Sequence, residues 1–241
     1  VLEVALLAGI AFVGALIFGV TGFGAALVTI PLATHLVPLK FALALFVLAD
    51  LSCALRIGFE NPRKALRDEW VRLVPMIVVG TALGVTLLVN LPRTTATLLL
   101  GVFILAFGLY SLVPHRMKKV SMHWAWLAGL AGGITSTLFG AGGPPYAIYL
   151  SHRGLTKEQF RATMGFATLT SISLRATAFL LTGLLFDPDV WWAALAVVPA
   201  ALLGISAARR LFLKISRETL LRAVSLMLLA SGGSLVWRAL G

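Results

Sequence analysis

The chain has 241 residues, of which 59% are hydrophobic and only 12% charged, with a mean hydropathy of +0.98; a soluble domain carries about 25% charged residues. That balance excludes a water-soluble fold, which could not cover so much apolar surface with so few polar side chains. The net charge of +11 does not indicate a nucleic-acid binder, because the basic residues lie between apolar runs, as in cytoplasmic loops facing anionic headgroups, and not on one polar face.

The single cysteine, Cys53, sits in an apolar stretch, so neither an intrachain disulfide nor a zinc cluster is expected. The sequence opens at Val1 without a basic n-region or a small-residue cleavage site, and no signal peptide is read.

In chain order, the first apolar stretch runs from Val4 to Leu39 without a charge. As an unbroken helix it would be on the order of 50 Å long, whereas about 20 residues cross a bilayer core. Glycines in Gly19-Val-Thr-Gly-Phe-Gly24 interrupt it, leaving two arms that each reach about halfway. Three ordinary spans follow, over residues 41–58, 73–91 and 94–113. A second overlong stretch, residues 120–152, is broken at Gly140-Ala-Gly-Gly-Pro-Pro145. Spans over 162–186, 190–208 and 220–236 complete the chain, with Arg222 and Arg238 snorkelling from the last. Each overlong stretch is either a re-entrant hairpin or a broken span with a surface extension, its irregular backbone shielded from lipid.

The two breakers stand in the same relation to their neighbours. Phe18-Gly19 matches Phe139-Gly140, Phe41 matches Phe160, and Leu55-Arg56 matches Leu174-Arg175. Two repeats are therefore expected, residues 1–119 and 120–241. If both long stretches are hairpins, four basic clusters share one face: Arg63, Lys64 and Arg67; Arg116, Lys118 and Lys119; Arg153, Lys157 and Arg161; Arg209, Arg210, Lys214 and Arg217. Lys40, Arg93, Arg238 and the Asp187-Pro188-Asp189 turn fall on the other face, which satisfies the positive-inside bias. The expected fold class is an all-α polytopic membrane protein of two inverted repeats, each a broken or re-entrant hairpin followed by three transmembrane helices. Inverted repeats whose broken helices meet near the midplane are a transporter signature.

A helix that restarts after such a break offers unpaired N–H groups and the positive end of its dipole to an anion. Two restarts, near Gly24 and Pro144, would hold a small oxyanion without fixed charge. Thr21, Gly22, Phe23, Gly24, Ser136, Gly140, Gly142, Gly143 and Pro144 are the candidate contacts, with Thr137 as a further hydroxyl donor. Close helix packing is the alternative use of these glycines, and Gly80-Thr-Ala-Leu-Gly84 is assigned to packing alone.

Arg175 lies deep in an uncharged run and is expected to bind substrate or form an ion pair; Arg56 holds the equivalent place in the first repeat. Asp50, the one acid inside an apolar span, either neutralises Arg175 or carries a coupling proton. Leu169 stands at its matching position in the second half. His35, His115, His123 and His152 are interfacial without metal-ligand spacing, and Trp70, Trp124, Trp126, Trp191 and Trp192 mark aromatic belts. No cofactor or metal is expected.

The segments Phe18-Gly-Val-Thr-Gly-Phe-Gly-Ala-Ala-Leu-Val-Thr-Ile-Pro31 and Gly132-Gly-Ile-Thr-Ser-Thr-Leu-Phe-Gly-Ala-Gly-Gly-Pro-Pro145 resemble the TauE/SafE family of sulfite and organosulfonate exporters. The resemblance implies movement of a small sulfur-containing anion across a bacterial inner membrane, outward, along a pathway lined by Thr21 to Gly24 and Gly140 to Pro145. The alternative is a membrane hydrolase such as a polyprenyl-pyrophosphate phosphatase, but such chemistry calls for an acid or histidine cluster that the two hairpins lack.

Overall fold

The computed structural model describes residues 2–60, 62–112, 120–212 and 217–240. His115, Arg116, Lys118, Lys119 and Lys214 lie outside these residues, as do the side chains of Arg209, Arg210, Arg217, Arg222 and Arg238. The described residues form α-helices joined by short turns and no strand. The helices are α1 (Leu2–Thr21), α2 (Ala25–Ala33), α3 (Leu39–Gly58), α4 (Arg67–Asn90), α5 (Arg93–Leu112), α6 (Trp124–Phe139), α7 (Gly143–Ser151), α8 (Lys157–Leu181), α9 (Pro188–Phe212) and α10 (Arg217–Leu240), with a 3-10 turn at Pro62–Lys64. Helices α1, α3, α4, α5 and α8, together with Pro188–Ala208 of α9, are long and apolar enough to cross a membrane.

Several helices outrun the apolar spans read from the sequence, because hydrophobicity marks only the part matched to hydrocarbon. Helix α4 begins at Arg67, where Asp68 and Glu69 in the first turn suit the positive end of its dipole. Helix α8 begins at Lys157 behind a capping box: Gln159 N–H donates to Thr156 Oγ1 at 3.2 Å, and Thr156 N–H to Gln159 Oε1 at 3.0 Å. It ends at Leu181 and not at 186, where Gly183 takes φ 77° and stops the helix.

Both overlong stretches fold back on themselves as hairpins. A Cβ on Gly14 of α1 would lie 2.2 Å from Thr29 Cγ2 of α2, and one on Gly132 of α6 would lie 2.0 Å from the Tyr146 ring of α7. The arms are unequal, contrary to the expectation of two half-length arms. Helix α1 has 20 residues and α2 has 9; α6 has 16 and α7 has 9. At 1.5 Å per residue the short arms rise about 14 Å and the long arms about 24–30 Å. Helix α2 ends at Ala33, where the Thr34 hydroxyl donates to the Pro31 carbonyl at 2.7 Å and Val37 N–H closes the turn on the Ala33 carbonyl at 2.8 Å.

The hairpins pack across the chain. Long arm α1 lies on α9 and long arm α6 on α4; α3 contacts α8 and α9, α8 contacts α3 and α4, and α5 pairs with α10. Gly80 and Gly84 meet α6 closely, a Cβ on Gly80 falling 2.3 Å from the Leu130 carbonyl oxygen. Ion pairs Lys64–Glu158 (3.2 Å), Arg161–Glu60 (3.3 Å) and Arg153–Glu69 (2.8 Å) bring the end of α3 and the starts of α4 and α8 to one basic face. On the other, Lys40 Nζ donates to the Val89 carbonyl at 3.3 Å beside the start of α5. The flanks expose Leu83, Leu87, Val102, Leu195 and Leu203, side chains suited to lipid. Trp124, Trp126, Trp191 and Trp192 are exposed as belts require, whereas Trp70 is half-buried and donates Nε1–H to Thr170 Oγ1 at 2.9 Å.

Candidate functional site

The glycine tips are shaped by backbone conformations that only glycine takes without strain: Gly22 and Gly24 have φ 82° and 92°, and Gly140 has φ 71°. The tips meet. A Cβ on Gly143 would lie 2.6 Å from Phe23 Cβ, and one on Gly140 would lie 2.9 Å from Ala26 Cβ. Between them is a cavity of about 20 Å³, room for little more than a water molecule. Phe23, Gly24, Ala25 and Ala26 line it from the first tip, and Gly140, Ala141, Gly142 and Gly143 from the second.

The two helix starts contribute unequally. Helix α2 has no proline before Pro31, so the amides of its first turn are all available as donors. In α7, Pro144 and Pro145 occupy the first turn and supply no N–H. The tip that precedes it turns Gly140 N–H to the Ser136 carbonyl at 2.9 Å and Ala141 N–H to the Thr135 carbonyl at 3.1 Å. Gly142 and Gly143 are left as the amides on that side.

Arg175 and Asp50 form a buried ion pair, Nη2 to Oδ2 at 2.8 Å, between α8 and α3. Arg175 is 1% exposed; its Nη1 donates to the Ser136 carbonyl at 3.1 Å and its Nε has no partner among the described residues. The carboxylate reaches the cavity wall, while the guanidinium stands behind the second tip and is not part of the lining. Arg175 thus bridges Asp50 of α3 and the Ser136 carbonyl near the end of α6.

Of the candidate residues, Phe23, Gly24, Ser136, Gly140, Gly142, Gly143 and Asp50 line the cavity; Thr21, Gly22, Pro144, Arg56 and Arg175 do not. The Thr21 hydroxyl is used within its own tip: it donates to the Ile17 carbonyl at 2.9 Å, meets the Phe23 carbonyl and accepts Phe23 N–H at 3.3 Å. Thr137 donates to the Gly133 carbonyl at 2.9 Å and faces Gly84 of α4. Arg56 is exposed at the basic face and donates to Ser206 Oγ at 2.8 Å. Leu169 stands where the second half would need an acid to match Asp50, so among the described residues no interior carboxylate pairs with Arg56 as Asp50 does with Arg175.

Sequence reasoning missed three polar residues of the wall: Thr168, Ser171 and Tyr146. Tyr146 OH donates to Ser171 Oγ at 3.0 Å, and the buried Thr168 Oγ1 has no partner among the described residues. The signal was present in α8, where Thr168, Ser171 and Arg175 recur at i, i+3 and i+7 and so share one helical face.

The family model for the sulfite exporter TauE/SafE matches residues 6–235. The chain belongs to the TauE/SafE family. TauE/SafE proteins are membrane transporters, so this chain is a multi-pass inner-membrane transporter and not an enzyme, which sets aside the hydrolase reading. It is 25% identical over 80% of its length to the probable inner membrane transporter protein TsaS of Comamonas testosteroni, covering 83% of that protein. It is also 26% identical over 92% of its length to the probable sulfite/organosulfonate exporter TauE of Cupriavidus necator, covering 89% of that protein. No solved structure matches this TauE/SafE chain.

Proposed function

We propose that this transporter exports a small oxyanion, sulfite or an organosulfonate, through the cleft between the two hairpin tips, with Asp50 carrying a coupled proton. The observation that supports this most directly is the meeting of two helix starts, α2 and α7, at one buried cavity. Their amides at Ala25, Ala26, Gly142 and Gly143 suit the oxygens of an anion, and Thr168 Oγ1 supplies a hydroxyl that nothing else occupies.

The Asp50 carboxylate faces the same cavity and opposes an anion there. Protonation removes that repulsion and frees the Arg175 charge from its partner, so proton and anion favour each other's binding, and by linkage the effect is reciprocal. A cavity of about 20 Å³ is smaller than sulfite, so each passage requires the tips to part. Sulfite and organosulfonates come from the name of the Cupriavidus necator relative. The division into inverted repeats at 119/120 belongs to the same reading, and the exchanged packing of α1 on α9 and α6 on α4 supports it.

Uptake of labelled sulfite into inverted membrane vesicles, with and without an imposed pH gradient, tests the proposal. Wild type should accumulate sulfite and respond to the gradient, and Asp50→Asn should transport without responding. Wild-type vesicles that move no sulfite or organosulfonate would refute the substrate reading; an unchanged gradient response in Asp50→Asn would remove Asp50 from coupling.

A further inference from the structure

Arg56 does not reach the tips, and the tips do not account for a second arginine, Arg161 of α8. Both line a separate recess of about 30 Å³ on the basic face, together with Gly19, Ile57, Glu60 and Ile205. Arg161 Nη2 donates to the Gly19 carbonyl and to Glu60 Oε2, each at 3.3 Å. Glu60 therefore offsets one of the two guanidinium charges. Among the described residues Arg56 has only the Ser206 hydroxyl as a partner, so the recess keeps an excess of positive charge and opens to water on the side where Arg56 and Glu60 are exposed. Its inner wall is the first tip itself: Gly19 lines the recess, while its neighbour Phe18 lines the cavity between the tips. Adjacent residues of α1 thus face the two spaces.

We infer that the recess between Arg56 and Arg161 is an entry subsite for the transported oxyanion, occupied on the basic face before the anion passes the first tip. This rests on the proposed function above and adds a location and two residues to it. An exporter draws its anion from the cytoplasmic compartment, and the basic face is the one that the positive-inside bias assigns to that side. A guanidinium is suited to sulfite or a sulfonate because its planar fork meets two oxygens at once. The position also couples occupancy to movement. Arg161 holds the Gly19 carbonyl at the end of α1, so an anion that competes for its N–H groups loosens the tip it must pass.

The test is the concentration dependence of sulfite uptake into inverted vesicles, whose outer surface is the basic face, at low and high ionic strength. The variants are Arg56→Gln, Arg56→Glu, Arg56→Lys and Arg161→Gln, each normalised to the amount of folded protein in the membrane. At low salt Arg56→Gln should raise KM about threefold, the effect of one unit charge about 7 Å from a water-exposed anion, and Arg56→Glu about sevenfold. Arg56→Lys, which keeps the charge but not the fork, should fall between wild type and Arg56→Gln, and the differences should shrink at high salt. A KM that stays put in Arg56→Glu, or one that shifts equally at all ionic strengths, overturns the subsite. Either result leaves the proposed function standing so long as wild type still moves sulfite; absence of wild-type transport would refute that function instead. If Arg161→Gln fails to fold because the Gly19 contact is lost, the Arg56 series still decides the question.

Discussion

A guanidinium has five N–H donors, and Arg175 satisfies them incompletely: Asp50 and the Ser136 carbonyl take two contacts and Nε has no partner among the described residues. Such a group persists in an apolar interior only because its charge is matched, and removing one member of a buried pair costs about 3–5 kcal/mol. Arg175→Gln should therefore lower thermal stability in detergent sharply, since it leaves a buried carboxylate alone. Asp50→Asn should be milder, because Arg175 keeps the Ser136 carbonyl as a partner. The double variant Asp50→Asn, Arg175→Gln should recover most of what Arg175→Gln loses. Unfolding temperatures that simply add across the cycle would mean that the two side chains are not coupled.

The same pair shows what one sequence can and cannot disclose. Asp50 and Arg175 were conspicuous as rare ionisable groups within long apolar runs, and burial obliged them to find each other. Thr168 and Ser171 gave only the weaker signal of their register with Arg175, because hydroxyls in membrane helices are common and can satisfy themselves on a carbonyl one turn back. Ser52, Thr135 and Thr177 do so, each donating at 2.9–3.0 Å. Thr168 does not, and its free hydroxyl faces the cavity. Thr168→Val keeps the shape and removes the donor, so it should weaken sulfite binding by about 1 kcal/mol, roughly fivefold in KM, with stability unchanged or slightly raised. Transport kinetics and unfolding measured together check both halves of this expectation.

At the scale of elements, the glycines fall into two kinds that a substitution separates. Gly80 lies against α6 backbone, with the Leu130 carbonyl oxygen 2.3 Å from a Cβ built there, so Gly80→Ala must push two helices apart. That overpacking should destabilise the protein by about 1–3 kcal/mol. Gly143 meets a side chain instead: its added Cβ would lie 2.6 Å from Phe23 Cβ and 3.1 Å from the Phe23 ring. Gly143→Ala should fold but impair transport, and Phe23→Gly should restore part of it by removing the obstructing atoms. Rescue by Phe23→Gly is the informative readout, because Gly80→Ala has no side chain to remove. The breakers were legible because helices of that length cannot lie comfortably in a bilayer and glycine marks the interruption. The unequal arms were not, because their lengths depend on the turns that close each short arm and on the cross-chain packing of α1 and α6.

For the whole molecule, the packing confines freedom to the tips. Both long arms are clamped, α1 against α9 and α6 against α4. The base of α7 is fixed too: the Tyr149 hydroxyl donates to Glu69 of α4, Arg153 pairs with the same carboxylate at 2.8 Å, and Arg153 Nη1 donates to the Val120 carbonyl at 2.8 Å. Hydrogen bonding to Glu69, the largest influence, holds the Arg153 guanidinium above its ordinary range and so firmly charged. On the proposed pathway, relative movement then falls to the ends at Phe23 and Gly143, between which the cavity is about 20 Å³. Tethering those ends should stop transport without unfolding the protein. In a Cys53→Ser background, Phe23→Cys with Gly143→Cys places two thiols at the contact, and a relaxation of about 1 Å brings their Cβ atoms to the 3.5–4.5 Å spacing of a disulfide. Oxidation should form the cross-link and abolish the uptake that the reduced double variant retains, reduction should return it to that level, and each single-cysteine variant should ignore both treatments. Uptake that continues at full rate through a cross-linked protein would show that the anion crosses without the tips parting, and would move the pathway away from this cleft.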